Sequence, residues 1–499
     1  VPPGFNTATA WSERTTRLYQ QATELCAKHF QPSRLDRDYD GYVSTGHDDV
    51  LDTIERAVTG RGVRGVAGAI AALIRAGSLP EGTRLPPVRR LADHLGVSPT
   101  TVAGAWSQLA SLGLITSRGR QGTFVASSTI ARPRRWRTQV APALRYDLGT
   151  GAPDPQLLPD PRPYLARLEH LEPATYADPP VFEPLVDVLA EVLEPELGLG
   201  RGRALTIVDG ALEAIDRLLD TLPSSTRSVA VEDPSFPALF DLVEAHGFAV
   251  VRIPLDAEGP DPTAVARAAA QPDLGALIFQ PRAHNPTGIA LTPQRRNELA
   301  LALTRRPDVL VIEDDHSGLL ARAPLATLTT AHPRCATVVS FSKSHGPDLR
   351  LAAVIGDADR IANVEQARSL GPSWSSKLLQ ALLAAMLRDP ADRDRLQLAQ
   401  LRYDERRSQL AEIVGAACPG EGINAWALVA EEPDFTARLA HQGVRVIPAS
   451  TFTYDRSASH HVRITLAEPR YGFAEALEYL AALVRDPAPS LVRDRALGR

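Results

Sequence analysis

The stretch Val338-Val339-Ser340-Phe341-Ser342-Lys343-Ser344-His345-Gly346-Pro347-Asp348-Leu349-Arg350 decides how this chain reads. An apolar run gives way to small polar residues, then a lysine, then an arginine seven places on. The chain has only three lysines, Lys28, Lys343 and Lys377, among 54 basic residues, so a lysine at this point stands out. A primary amine can form a Schiff base and a guanidinium cannot. The residue type and its setting therefore point to Lys343 as the catalytic amine that would hold pyridoxal 5'-phosphate.

Outward from Lys343, apolar runs recur and each ends in a polar loop. Leu205–Val208 leads into Asp209-Gly210-Ala211, and Val229–Val231 into Glu232-Asp233-Pro234-Ser235-Phe236. Ala276–Phe279 leads into His284-Asn285-Pro286-Thr287-Gly288, and Val309–Ile312 into Glu313-Asp314-Asp315-His316. Runs alternating with helical stretches predict an α/β domain with a mostly parallel sheet, whose ligands sit beyond the carboxyl ends of the strands. The cofactor needs a carboxylate at its ring nitrogen, a donor at its ring hydroxyl, a flat side chain and a phosphate cup. Asp314, Asn285, Phe236 and the Gly210-Ala211 turn can supply these, with Ser340, Ser342 and Arg350 completing the cup. Asp315 is an open alternative to Asp314. A helix starting after Gly210 would aim free N–H groups at the phosphate.

Glu232-Asp233-Pro234, Asn285-Pro286-Thr287-Gly288, Glu313-Asp314-Asp315, Ser340-Phe341-Ser342-Lys343, Arg350 and Val462-Arg463-Ile464-Thr465 resemble, in order, the motifs of class I and II (fold-type I) aminotransferases. The resemblance favours Asp314 as ring partner and implies that Arg463 grips a substrate or effector carboxylate. It also implies that Tyr176 either reaches a neighbouring subunit's cofactor or packs locally. Four positions depart from the family. His316 replaces a tyrosine that hydrogen-bonds the ring oxygen; an imidazole can donate there, but it is expected to titrate near neutral pH. Phe236 replaces another frequent tyrosine, and Ala211 with Leu212 thins the phosphate cup to backbone.

Ahead of this body lies a basic segment. Residues 61–126 carry eight arginines against Glu81 and Asp93, and 127–145 add five arginines and no acid, although the whole chain is at −5. A basic module on an acidic body suggests a nucleic-acid partner. Val66, Ile70 and Leu73 share one helical face, with Gly77 as a stop. Gly82–Pro87 reads as a turn, and Val88–Leu95 as a short helix closed by Gly96. Ser98 caps a further helix, Pro99 opens it, and Val102, Trp106 and Leu109 form its buried stripe. Leu114–Thr116 and Thr123–Val125 form a hairpin with a basic tip. This is a winged helix-turn-helix, whose second helix enters a major groove.

Leu85-Pro86-Pro87-Val88-Arg89-Arg90-Leu91-Ala92, Val97–Val102 and Gly122–Val125 resemble the GntR-type DNA-binding domain. By that resemblance Arg89, Ser98, Thr100 and Thr101 would contact double-stranded DNA, with Arg118 and Arg120 on the wing. Pro87 stands where the family usually has a serine able to cap the helix.

The fold expected is multidomain: an unassigned extension over 1–47, a winged-helix DNA-binding domain over 48–126, a basic linker over 127–145, and an α/β aminotransferase-like domain over 146–499. Val1–Gln21 has no basic-then-apolar leader, no apolar run reaches membrane length, and Cys26, Cys335 and Cys418 lack metal-like spacing. A cytoplasmic protein without a metal site is the expectation. Fused in this order, the two halves resemble the MocR family of PLP-dependent regulators. The resemblance implies a homodimer in which an amino compound forms an external aldimine in place of Lys343. A working aminotransferase with a winged-helix appendage is the alternative.

Overall fold

The computed structural model describes residues 47–485 apart from 59, 76–77, 81, 112–113, 118–121, 126–144, 170, 198–202, 415–417, 458 and 468–471. Nearly all of the N-terminal extension, the Gly77 stop, the wing arginines Arg118 and Arg120, and nearly all of the basic linker lie outside the described residues. The chain divides into two compact units, 1–53 and 54–499.

Helices α1 (His47–Ala57), α2 (Val63–Arg75), α3 (Val88–Leu95) and α4 (Pro99–Ser111) precede a small antiparallel sheet. Its strands are β1 (Arg84–Leu85), β2 (Ile115–Ser117) and β3 (Thr123–Val125), in the order β1-β3-β2. Of the expected stripes, Val66, Ile70, Val102, Trp106 and Leu109 are buried and Leu73 is half-buried; Leu91, Leu95 and Ala105 are buried as well. Gly96 closes α3 in the left-handed conformation, its N–H reaching back to the carbonyls of Ala92 and Asp93. Ser98 Oγ accepts from the N–H of Thr101 at 3.1 Å, so the hydroxyl caps α4. Pro87 leaves α3 without a side-chain cap. One reading changes: the stretch read as a turn holds β1, with Arg84 opposite Phe124 and Leu85 opposite Thr123. Two residues are too few to show alternation, and only the pairing with β3, with Leu85 buried, makes them a strand.

The body begins at β4 (Tyr146–Asp147), followed by α5 (Glu183–Leu197), β5 (Ala204–Val208), α6 (Ala211–Asp220), β6 (Ser228–Asp233), α7 (Pro237–Ala245), β7 (Ala249–Asp256) and β8 (Gly259–Pro260). After α8 (Pro262–Ala269) come β9 (Leu274–Phe279), α9 (Pro293–Leu303), β10 (Leu310–Asp315), β11 (Cys335–Ser340) and β12 (Ala352–Gly356). These strands build an eight-stranded sheet in the order β5-β12-β11-β10-β9-β6-β7-β8. Pairs from β7 through β6, β9 and β10 to β11 are parallel, whereas β12 runs against both β11 and β5. Strands β9, β10, β11 and β12 are buried along their whole length; β9 and β12 read as continuous apolar runs, whereas β10 runs on through Glu313, Asp314 and Asp315. The registers Asp315 with Val339, Ser340 with Ala352, and Ala352 with Val208 bring the carboxyl ends of β10, β11 and β5 to one edge. The five expected loops leave from that edge.

Helices α10 (Ala358–Ser369), α11 (Lys377–Leu387) and the long α12 (Pro390–Val414) lead to a smaller antiparallel sheet of β13 (Asn424–Leu428), β16 (His461–Thr465) and β15 (Ile447–Pro448). Between them lie α13 (Glu432–His441) and β14 (Val444–Arg445), and α14 (Phe473–Arg485) ends the described chain. Strand β14 pairs in parallel with β4, which joins the start of the body to this region. Arg463 sits on the central strand β16, opposite Trp426 and Ile447.

Candidate cofactor and ligand site

Lys343 lies two residues into the loop after β11 and Phe341. Its Nζ donates to the carbonyl of Gly151 at 2.6 Å. Burial, and then the charge of Arg463, lower its pKa to about 8, while Asp314 opposes the shift. The amine is thus partly deprotonated near neutrality, as a nucleophile must be.

Asp314 and Asp315 end β10, and their partners distinguish them. Asp315 is bound by Arg282, whose Nη2 donates to Oδ2 at 2.8 Å and Nε to Oδ1 at 3.1 Å. Asp314 takes one hydrogen bond on Oδ2, from Gln280 Nε2 at 2.8 Å. Its other oxygen, Oδ1, is buried and meets no donor among the described residues. Burial raises the Asp314 carboxyl to about 7, despite the Gln280 hydrogen bond. An acceptor left bare in the interior costs free energy until a donor arrives. A protonated pyridine nitrogen is such a donor, so this carboxylate fits the cofactor and Asp315 does not.

Arg463 is 2 % exposed. Its Nη2 donates to the carbonyl of Gly149 at 2.6 Å and its Nη1 to Asn285 Oδ1 at 3.1 Å. The guanidinium lies over the Phe452 ring at 4.9 Å, and Nε has no partner among the described residues. Its hydrogen-bond acceptors are neutral, and burial followed by the charge of Arg445 lowers its pKa to about 9. A buried cation without a paired carboxylate is the complement of a carboxylate ligand.

The β5–α6 turn forms the third part of the site. Gly210 has φ +104°, and a Cβ there would lie 2.7 Å from Arg350 Nη2. Arg350 in turn donates to the carbonyl of Asp209 at 3.0 Å. Helix α6 starts at Ala211 without a side-chain cap, leaving its first N–H groups for an anion. The turn is braced from behind by Arg368, 1 % exposed, which pairs with Asp209 and Glu213 at 3.0 and 2.8 Å. Ser340 Oγ accepts from the Ser342 N–H at 3.3 Å. Replacing Gly210 with valine is expected to raise the dissociation constant for pyridoxal phosphate at least about tenfold, since it combines a disfavoured φ with a collision at Arg350. Equilibrium dialysis measures it; unchanged affinity would remove Gly210 from the site.

Not every expected residue joins this cluster. Tyr176 is 95 % exposed and meets only the edge of Trp374 in the described ring contacts, at 5.6 Å. Within one chain it therefore stands apart from the Lys343 cluster. Phe236 is the N-cap residue of α7, partly buried against the sheet core. His316 corrects an expectation. Burial, and then the charge of Lys343, push its pKa down to about 4, so it does not titrate near neutral pH. Its Nε2 is 2.8 Å from the Ala283 carbonyl, so the N–H expected to serve the cofactor serves the backbone.

Several residues of the site carry no sequence motif. Gln280 joins Asp314, the Asn285 N–H at 2.8 Å and, through its own N–H, Glu232 at 2.9 Å. It is the first polar residue after β9, and that position was its only signal. Gly149 and Gly151 act through carbonyls, which any residue type presents.

Residues 146–480 match the family described as aminotransferase class I and II, and residues 63–125 match bacterial regulatory proteins of the gntR family. The chain is 37% identical over 418 residues to the vitamin B6 salvage pathway transcriptional repressor PtsJ of Salmonella typhimurium, covering 82% of this chain and 95% of that one. It is 28% identical over 361 residues to the HTH-type pyridoxine biosynthesis transcriptional regulator PdxR of Corynebacterium glutamicum, covering 69% and 77%. Among solved structures, kynurenine aminotransferase of Pyrococcus horikoshii superposes with a TM-score of 0.63 at 20% identity, covering 70% of this chain and 93% of that one.

Proposed function

Because the chain belongs to the aminotransferase class I and II family and carries a gntR-family DNA-binding domain ahead of it, as MocR-type transcriptional regulators do, we propose that its body senses a small amino compound and its winged helix answers at DNA. The protein is a DNA-binding regulator with an aminotransferase-like domain, and its cofactor is pyridoxal phosphate. When bound, pyridoxal phosphate supplies an aldehyde that amines capture and a ring that withdraws electrons. The observation that carries the sensing proposal is the pair of unmet charges flanking Lys343: the bare Asp314 Oδ1 and the buried Arg463 guanidinium.

In this reading each side chain has one task. Lys343 attaches the cofactor and gives it up to an incoming amine. Asp314 carries a proton up to about pH 7 in the ligand-free site and can pass it to a ring nitrogen placed at Oδ1. Gly210, Ala211, Ser340, Ser342 and Arg350 form the phosphate cup, and Phe236 lies against the ring face. Arg463 holds a carboxylate if the amine has one. Arg89, Thr100, Thr101 and the hydroxyl-rich start of α4 face DNA, while Ser98 also caps that helix. The proposed domains are 48–126 for DNA and 146–499 for the cofactor, with 127–145 as linker. Tyr176, exposed in a single chain, suits a homodimer in which it reaches the other copy's site. DNA as partner suits a cytoplasmic protein, and no helix among the described residues is long and apolar enough to cross a membrane.

Genomic binding-site mapping of the full chain, with and without candidate amines, tests the reading. The candidates include B6 vitamers, given the names of PtsJ and PdxR. A specific site whose occupancy changes with one compound is the expected result. No specific site, together with multiple-turnover amino transfer, would establish the enzyme alternative. Arg89→Ala is expected to weaken binding to that site by about 1–3 kcal/mol and leave cofactor binding unchanged, measured by fluorescence anisotropy.

A further inference from the structure

We infer that His316 presents the cofactor's ring oxygen with a bare nitrogen, a hydrogen-bond acceptor, and thereby keeps the ring hydroxyl protonated. The inference rests on the cofactor reading above and concerns which protonation state of the cofactor this site selects.

The tautomer follows from one contact. A carbonyl oxygen can only accept, so at 2.8 Å from the Ala283 carbonyl the His316 Nε2 must carry the proton. That carbonyl is not free to turn. Ala283 is 3 % exposed at φ +46°, a Cβ on Gly422 would lie 2.8 Å from the Ala283 side chain, and the next N–H, of His284, is tied to the Ile289 carbonyl at 3.0 Å. The N–H of His316 itself is held by the Asp314 carbonyl at 2.9 Å, which fixes the ring from its own backbone.

A second proton on Nδ1 would turn the acceptor into a donor, so the surrounding charges decide the outcome. His284 opposes it, and so does the Lys343 ammonium in the ligand-free site, before that amine is attached to the cofactor. Asp315 favours it, but Arg282 occupies both Asp315 oxygens, which blunts that pull. Burial opposes it most strongly. The imidazole therefore stays neutral, and the only nitrogen it can offer a ligand is Nδ1 with its lone pair exposed.

Asn285 completes the pattern. Its Oδ1 accepts from Arg463 Nη1 at 3.1 Å, which leaves the Nδ2 hydrogens as its contribution to a ligand. A ring oxygen between Asn285 and His316 thus meets one donor and one acceptor. That pair fits a hydroxyl, which both accepts and donates, and it does not fit a phenolate, which only accepts. A tyrosine in place of His316 would supply a second donor and favour the phenolate.

The test is spectroscopic and needs no turnover. The full chain is reconstituted with pyridoxal phosphate, and absorbance is followed from about pH 6 to about pH 9 for the natural protein, His316→Tyr and His316→Phe. Borohydride reduction and mass measurement of the Lys343 peptide quantify the attached cofactor, and far-ultraviolet circular dichroism reports folding. The natural protein is expected to keep the near-ultraviolet band of the protonated ring through neutral pH. His316→Tyr is expected to shift absorbance to the visible band, its ring hydroxyl titrating at least about one unit lower, a tenfold change in the ratio at fixed pH. His316→Phe, which removes the acceptor without adding a donor, moves the ratio the same way by less. A visible band dominating in the natural protein at neutral pH, or equal ratios in all three, overturns the inference while leaving the cofactor reading intact. No band and no labelled peptide in the natural protein overturns both.

Discussion

Replacing Lys343 with alanine abolishes covalent attachment of pyridoxal phosphate, and with it the response of DNA binding to an effector. The effect is complete because no other amine among the described residues is placed to substitute. Lys377 begins α11 and lies 3.9 Å from Asp178, outside the Lys343, Asp314 and Arg463 cluster, and Lys28 lies outside the described residues. The expected readings are loss of the cofactor's absorbance at dialysis equilibrium and no borohydride-labelled peptide. Binding to the operator persists, since the winged helix has its own buried apolar stripes on α2, α3 and α4. Absorbance that survives in Lys343→Ala would overturn the lysine assignment. The pH dependence follows from the amine. With its pKa near 8, about a tenth of it is unprotonated at neutral pH, against about one in a few thousand for an ordinary lysine. Reconstitution of the ligand-free natural protein should therefore accelerate as pH rises toward 8 and level off above it.

Replacing Arg463 with leucine abolishes the preference for ligands that carry a carboxylate, and it also stabilises the ligand-free fold. The guanidinium is buried on neutral oxygens, so it holds its charge against desolvation. Removing the partner of a buried charged pair costs roughly 2–5 kcal/mol, on the order of thirtyfold to several thousandfold in affinity. Each α-amino acid that perturbs the cofactor spectrum should lose that much, whereas the matching decarboxylated amine should change little. Leucine fills similar space without a charge to desolvate, so the midpoint of thermal unfolding of the ligand-free protein should rise. Weaker binding with higher stability separates a lost contact from misfolding. An equal loss for amino acid and amine would mean that Arg463 serves the scaffold and not the carboxylate.

Much of this was legible before any coordinates. The apolar runs ending at Val208, Phe279, Ile312 and Val339 all lie in strands of the sheet; β5 and β9 stop where the run stops, whereas β11 takes in Ser340 and β10 runs on through Glu313, Asp314 and Asp315, which read as loop in the sequence. The Gly96 stop and the Ser98 cap were readable because both act on their own helix ends. The two-residue β1 was not, because its existence depends on β3 some forty residues later.

The sequence alone singled out the residue proposed to bear the cofactor, since among the side chains after these strands only Lys343 carries a primary amine, and it determined the order of the loops around it. Residue chemistry could not choose between Asp314 and Asp315, which are adjacent and chemically alike, and only the motif resemblance favoured Asp314. Arg282, from the preceding strand's loop, neutralises one and leaves the other with a bare oxygen. Nor could it tell that His316 spends its N–H on Ala283, or that the Lys343 amine rests on the Gly151 carbonyl 192 positions away. Strands and caps are set by neighbours along the chain, whereas the charge and proton of a buried group are set by whatever the fold brings within a few ångströms of it. The identity of the site's groups is thus written in the sequence, and their protonation states are decided only by the tertiary structure.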